Sequence, residues 1–202
     1  MKTRILAIGA TLLIGATAAA CGGDDGTASG PVSPSAGART AQHNQQDVTF
    51  AQMMIPHHRQ ALEMSEAVAA KSTDAEVRRL AQQIEKAQGP EIATMTGWLR
   101  TWGATVPSEN GSGHVGGHGG HGGGGEMPGM MTERQMADLE KAAGAARDRM
   151  FLTMMIEHHE GAIAMARDEQ AKGAHPDARR LAGTIITAQQ AEIAAMRALL
   201  KR

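Results

Sequence analysis

A chain of 202 residues with a formal net charge of −1 lacks the basic excess that a nucleic-acid partner selects, so a nucleic-acid role is excluded first. Aromatic residues make up 2% with no Tyr, which leaves a core of Ala, Leu, Ile and Met and favours closely packed helices over strands. The single cysteine, Cys21, excludes an intrachain disulfide.

Lys2 and Arg4 precede an apolar run over residues 5–20 that ends Ala18-Ala19-Ala20-Cys21. A charged start, an apolar stretch and small residues before a cut site read as an export signal over residues 1–20. The run is short and interrupted by glycine, unlike the roughly 20 apolar residues of a membrane-spanning helix. Cysteine directly after the small residues resembles a bacterial lipobox, with Ala18 where Leu is usual, and marks Cys21 for lipidation. The expected protein is an extracytoplasmic lipoprotein, held to a membrane by its anchor. Residues 21–41 are rich in Gly, Ser, Pro and Ala and predict a flexible tether.

The first long helix is expected to begin between residues 41 and 47 and to run to about residue 70. Pro56 lies inside it and should remove one hydrogen bond and kink it. Thr73 with Glu76 three residues on is a capping-box pattern for the next helix. That helix should reach about residue 100, with Val77, Ile84, Gln88, Met95 and Leu99 on one face and a bend at Pro90. Residues 42–102 thus form one helical hairpin.

Residues 103–131 dissolve into glycine and end GSGHVGGHGGHGGGGEMPGMM, a composition that offers no core and predicts a mobile linker. In residues 132–202, Thr132 with Gln135 caps a short helix, and a third long helix follows over about 145–172. It stops at Gly173, a frequent C-cap residue, and Pro176 suits the first turn of the last helix. The fold class is all-α: two hairpins that bury their apolar faces on each other make one four-helix bundle.

The hairpins are copies of each other. Residues 50–64 read FAQMMIPHHRQALEM and residues 151–165 read FLTMMIEHHEGAIAM, at an offset of 101. The match continues without a gap through Arg78-Arg79-Leu80-Ala81 and Arg179-Arg180-Leu181-Ala182, and through Glu91-Ile92-Ala93 and Glu192-Ile193-Ala194. Similarity over about fifty residues is an internal duplication.

Each copy carries a His-His pair among methionines. Helical spacing puts Met53, His57 and Met64 on one stripe and Met54 with His58 on the next. The second copy repeats this with Met154, His158, Met165, Met155 and His159. A methionine stripe alone is ordinary core filling. Burying adjacent imidazoles without partners is unfavourable by a few kcal/mol, yet the chain does so twice, and that weighs toward metal ligation over a satisfied core pair. A two-fold bundle would bring both sets toward a shared interior. Di-iron bundles use carboxylates with Glu-x-x-His. This chain has no Glu-x-x-His and instead offers Met54-x-x-His57 and Met155-x-x-His158. Imidazole with thioether suits Cu(I) and, by the same softness, Ag(I). Thioethers also persist in an oxidising compartment that would consume thiolates. Glu91 and Glu192 stand where they could accept from imidazole N–H groups.

The MMIPHH and MMIEHH segments, followed by AQ-x-x-EIA-x-M, resemble the bacterial domain-of-unknown-function family 305, from about residue 42 to 202 apart from the linker. The resemblance implies a ferritin-like four-helix fold and, for some exported members, copper binding and copper tolerance. It carries over His57, His58, Met54 and Met64 with His158, His159, Met155 and Met165. In the linker, His114, His118 and His121 read as auxiliary metal capture, set against a solvated tether that happens to hold histidines. The leading expectation is a non-enzymatic protein that sequesters or relays Cu(I). A ferritin-like redox metalloenzyme and a structural bundle with a His-Met core stand as alternatives. The sequence points to a metal ion and a membrane as partners, and to no particular protein.

Overall fold

Five α-helices and no strand make up the described residues, 42–108 and 127–202, of the computed structural model. They are α1 (Gln45–Lys71), α2 (Ala75–Thr101), α3 (Glu133–Lys141), α4 (Gly144–Lys172) and α5 (Pro176–Leu200). Their ends follow from local chemistry. Asn44 caps α1 by accepting from the Gln46 and Asp47 backbone N–H groups at 2.9 and 3.1 Å, while Asp47 accepts from the Asn44 N–H. Thr132 and Gln135 form the expected capping box on α3. His175 caps α5, with Pro176 in its first turn, where its missing N–H is harmless.

Two end signals differ from expectation. The cap of α2 is Asp74 in place of Thr73, its carboxylate accepting from Glu76 and Val77 at 2.8 and 3.2 Å, and no capping box forms. A carboxylate one residue later reaches the same orphan N–H groups and adds the charge favoured at a helix start. Gly173 does follow α4, but with φ −66, so it is not there for a left-handed turn. Instead a side chain at 173 would run into the Glu169 side chain and backbone. α1 and α2 both continue through their internal prolines, Pro56 and Pro90.

α1 packs on α2, α4 packs on α5, and the hairpins meet chiefly along α1 and α4, which form the central pair of a four-helix bundle. The start of α1 is clasped to the second hairpin's turn. The buried Asp47 carboxylate accepts from Ala174 and His175 N–H groups at 3.1 and 2.8 Å, and Asn44 Nδ2 donates to the Lys172 carbonyl at 2.8 Å. The core divides into two clusters. One holds Met64, Ile84, Phe151, Met155 and Met196; the other holds Phe50, Met54, Met95, Leu99 and Ile185. Each such side chain contributes about 1.5–3 kcal/mol by burial, against ~1 kcal/mol for a cap, so the bundle rests mainly on these apolar faces.

The expectation that residues 103–131 pack against nothing fails at both described ends: Ala104 and Val106 pack on the second cluster, and the Thr105, Pro107 and Ser108 carbonyls accept from Gln52 and Arg59. Met131 is buried in the first cluster, and its N–H and carbonyl are both held by the Gln60 side chain, at 2.7 and 2.8 Å. The export signal, the tether, Cys21, His114, His118 and His121 lie outside the described residues.

Candidate metal centre

The MMI-x-HH segments lie on the α1–α4 contact, with their histidines turned to the interior and Thr153, Glu157 and Glu160 exposed on the outer side of α4. His57, His58, His158 and His159 are all fully buried. The duplication brings His57 and His158 together, with ring centroids 3.7 Å apart and the planes tilted by 39°. Burial, then the neighbouring His58, push the His57 imidazole down to about 3; burial, then His57, hold His158 well below its usual value. Both rings are therefore neutral, which is the form that binds metal.

Three of the four rings have their Nε2 fixed. His58 Nε2 lies 2.7 Å from Glu91 Oε2 on α2, and His159 Nε2 lies 2.6 Å from Glu192 Oε2 on α5, equivalent contacts at the same offset of 101. His57 Nε2 lies 3.0 Å from the Pro128 carbonyl. A carbonyl or carboxylate oxygen accepts, so Nε2 donates in each contact, and the neutral His57 ring therefore keeps its lone pair on Nδ1. The Nδ1 atoms of all four histidines are buried without a partner, and so is Nε2 of His158. Leaving a buried acceptor unmet is unfavourable by roughly 1–3 kcal/mol each. A metal ion accepting those lone pairs removes that penalty, and carboxylate-oriented imidazoles are a recurring way to hold one. The donor set fits a metal.

The methionines are arranged across the repeats, not within them. Met54 and Met165 share one core cluster; Met64, Met154 and Met155 share the other, and half-buried Met53 packs at the edge of the first pair's cluster. The reason is the antiparallel crossing at His57 and His158: the residue one turn before one His pair faces the residues after the other. Thioethers thus flank the imidazoles on both sides. Among the described residues no three His, Cys, Asp or Glu side chains group as metal ligands.

The eight His and Met residues singled out in the sequence are all buried and Glu91 and Glu192 each meet an imidazole, while Pro128, Gln60 and Gly161 carry no signal that singled them out. Gln60 and Gly161 occupy the same repeat position, one of several at which the two stretches differ, so the difference does not stand out in the sequence. A backbone carbonyl, as at Pro128, leaves no side-chain signature at all.

Residues 47–200 match the family model described as Domain of unknown function (DUF305). A presumed secreted DUF305 protein from Streptomyces coelicolor is 34% identical, with a TM-score of 0.67, and the alignment covers 77% of this chain and 91% of that one. CopM in its Cu(II)-bound form is 32% identical, with a TM-score of 0.63 and coverage of 77% and 95%. The Cu(I)-bound and Ag-bound forms of CopM align at 28% and 29% identity, each with a TM-score of 0.61 and the same coverage. No curated protein matches the chain.

Proposed function

The chain belongs to the DUF305 family, and we propose that it binds Cu(I), and Ag(I) by the same chemistry, as cargo held by His57, His58, His158, His159, Met54, Met64, Met155 and Met165. The observation that carries this reading is the set of four buried imidazoles whose Nδ1 atoms have no partner, two of them, His57 and His158, held neutral by burial. The core clusters on α1 and α4 hold buried thioethers one to two turns along the same helices, soft donors that favour Cu(I) over Zn(II) or Mg(II). Copper- and silver-bound forms of the similar protein CopM support the same choice.

The role that suits this site is sequestration for copper tolerance without turnover. Glu91 and Glu192, the carboxylates closest to the histidines, are engaged as acceptors for Nε2–H and do not stand free for acid–base work. An extracytoplasmic place is supported by the signal read in residues 1–20 and by the Streptomyces coelicolor relative; we place the lipid anchor at Cys21. The test is anaerobic titration of the full chain with Cu(I) against a competing chelator, beside Zn(II) and Fe(II). Selective, stoichiometric Cu(I) uptake supports the reading. Equal or tighter binding of Zn(II) removes it.

A further inference from the structure

The duplication makes His57 and His158 equivalent, yet the structure treats their Nε2 atoms differently. His58 and His159 have matched acceptors in Glu91 and Glu192. His57 Nε2 meets the Pro128 carbonyl, while His158 Nε2 meets nothing. The asymmetry comes from residues 127–131, a single segment laid over a two-fold site. We infer that this segment is a positioning strap, whose Pro128 carbonyl fixes the tautomer of His57 and so presents its Nδ1 to an incoming metal ion.

The strap is built into both copies at one repeat position. On α1, Gln60 grips Met131 from both sides, accepting from its N–H at 2.7 Å and donating to its carbonyl at 2.8 Å. On α4, the equivalent residue is Gly161, and a side chain there would collide with the Pro128 carbonyl group and the Gly129 nitrogen. Gly129, at φ +77, lies against the carbonyls of Glu157 and His158, where a side chain would have neither the conformation nor the room. A Met130 N–H bond to the Met127 carbonyl at 3.1 Å closes the turn that aims Pro128 inward. The same repeat position thus carries a holding side chain in one copy and none in the other. A segment serving only to seal the core would need Met131 buried, but it would not need a carbonyl directed at His57.

A carbonyl acceptor at Nε2 leaves a single arrangement for the neutral ring, with the proton on Nε2 and the lone pair on Nδ1. The strap thus does for His57 what Glu91 and Glu192 do for the other pair. Its consequence for metal rests on the copper reading above; the tautomer itself does not.

The experiment is long-range proton–nitrogen NMR of the imidazoles in the metal-free full chain. The parent should show Nε2–H at His57, His58 and His159. Gly161→Ala, which pushes the Pro128 carbonyl away, and Gln60→Ala, which frees Met131, should each leave His57 without a single tautomer while His58 and His159 keep theirs. Both variants should bind Cu(I) roughly tenfold more weakly, the usual size of an outer-partner loss. If Gly161→Ala does not fold, Gln60→Ala carries the comparison. An Nδ1–H tautomer for His57 in the parent overturns the inference. So does an unchanged Nε2–H signal in a variant whose Met131 amide now exchanges freely. A parent that shows the tautomer but takes up no Cu(I) defeats the copper reading alone.

Discussion

His57 and His158, separated by 101 positions in the chain, bring their ring centroids to 3.7 Å at the α1–α4 contact. A near two-fold axis between duplicated helices forces equivalent residues to meet themselves there. A proton on either ring would set a charge against its counterpart in a dry interior, so both stay neutral. Between them they leave three ring nitrogens without a partner: Nδ1 of His57 and both nitrogens of His158.

Replacing both rings with leucine should therefore separate binding from folding. The variant His57→Leu with His158→Leu should bind Cu(I) at least about tenfold more weakly, about 1.4 kcal/mol. Its metal-free thermal stability should match or exceed the parent's, because unmet buried nitrogens give way to hydrocarbon. Chelator competition and thermal melts read the two effects. A large drop in melting temperature would show that the rings hold the bundle together.

Methionine pairing across the repeats makes a second prediction. Met54→Leu with Met165→Leu removes both candidate-ligand thioethers of one core cluster and should weaken one class of Cu(I) site while sparing the other. Met54→Leu with Met64→Leu takes one thioether from each cluster and should weaken both classes. The swaps nearly conserve volume, so a packing role predicts little change in either. Cu(I) titration curves distinguish the two patterns. Identical curves for all variants and the parent would mean the thioethers only fill the core.

The buried Glu169 beside Asp47 makes stability depend on pH. Burial first, then the adjacent Asp47, push the Glu169 carboxyl up to about 8. Burial would raise Asp47 too, but Glu169 and the N–H groups of Asn44, His175 and Ala174 outweigh it and hold Asp47 below the usual range. A raised carboxyl pKa stabilises the fold fully below the unfolded value of 4.5, and that gain is lost as pH rises toward 8. The Gln46 side chain and then the Arg179 charge only moderate this. Melting temperature should fall between pH 5 and pH 9, and Glu169→Gln should flatten the fall by about 4 °C or more. Parallel curves for the two proteins would remove Glu169 as the cause.

Cys21, the cysteine after Ala18-Ala19-Ala20, predicts maturation to a lipid-modified N-terminus. Expressed protein should partition with membranes, and Cys21→Ser should not. Intact-mass measurement of a chain that still begins at Met1, or is cut elsewhere, would contradict lipidation.

Much of the bundle is legible in the sequence because its signals are periodic and stated twice. Val77, Ile84, Gln88, Met95 and Leu99 recur at helical spacing, and all five are buried. The His-His pairs stand out because burying them is otherwise unfavourable. What the sequence hides is local and unrepeated. Asp74 takes over from Thr73 since adjacent acceptors compete for the same N–H groups. The strap sits at the edge of a glycine-rich stretch, and its two functional contacts are a backbone carbonyl and a single amide side chain. Cross-repeat sharing of the methionines needs the antiparallel direction of α1 and α4, which no single-helix pattern contains.

The central claim is that the ion binds to imidazole and thioether together. X-ray absorption at the copper edge of the Cu(I)-loaded full chain reports both donors at once. The account predicts nitrogen and sulfur scatterers around Cu(I), with the sulfur contribution falling when Met54, Met64, Met155 and Met165 are all leucine. A shell of nitrogen or oxygen alone in the parent, unchanged by those substitutions, would contradict it.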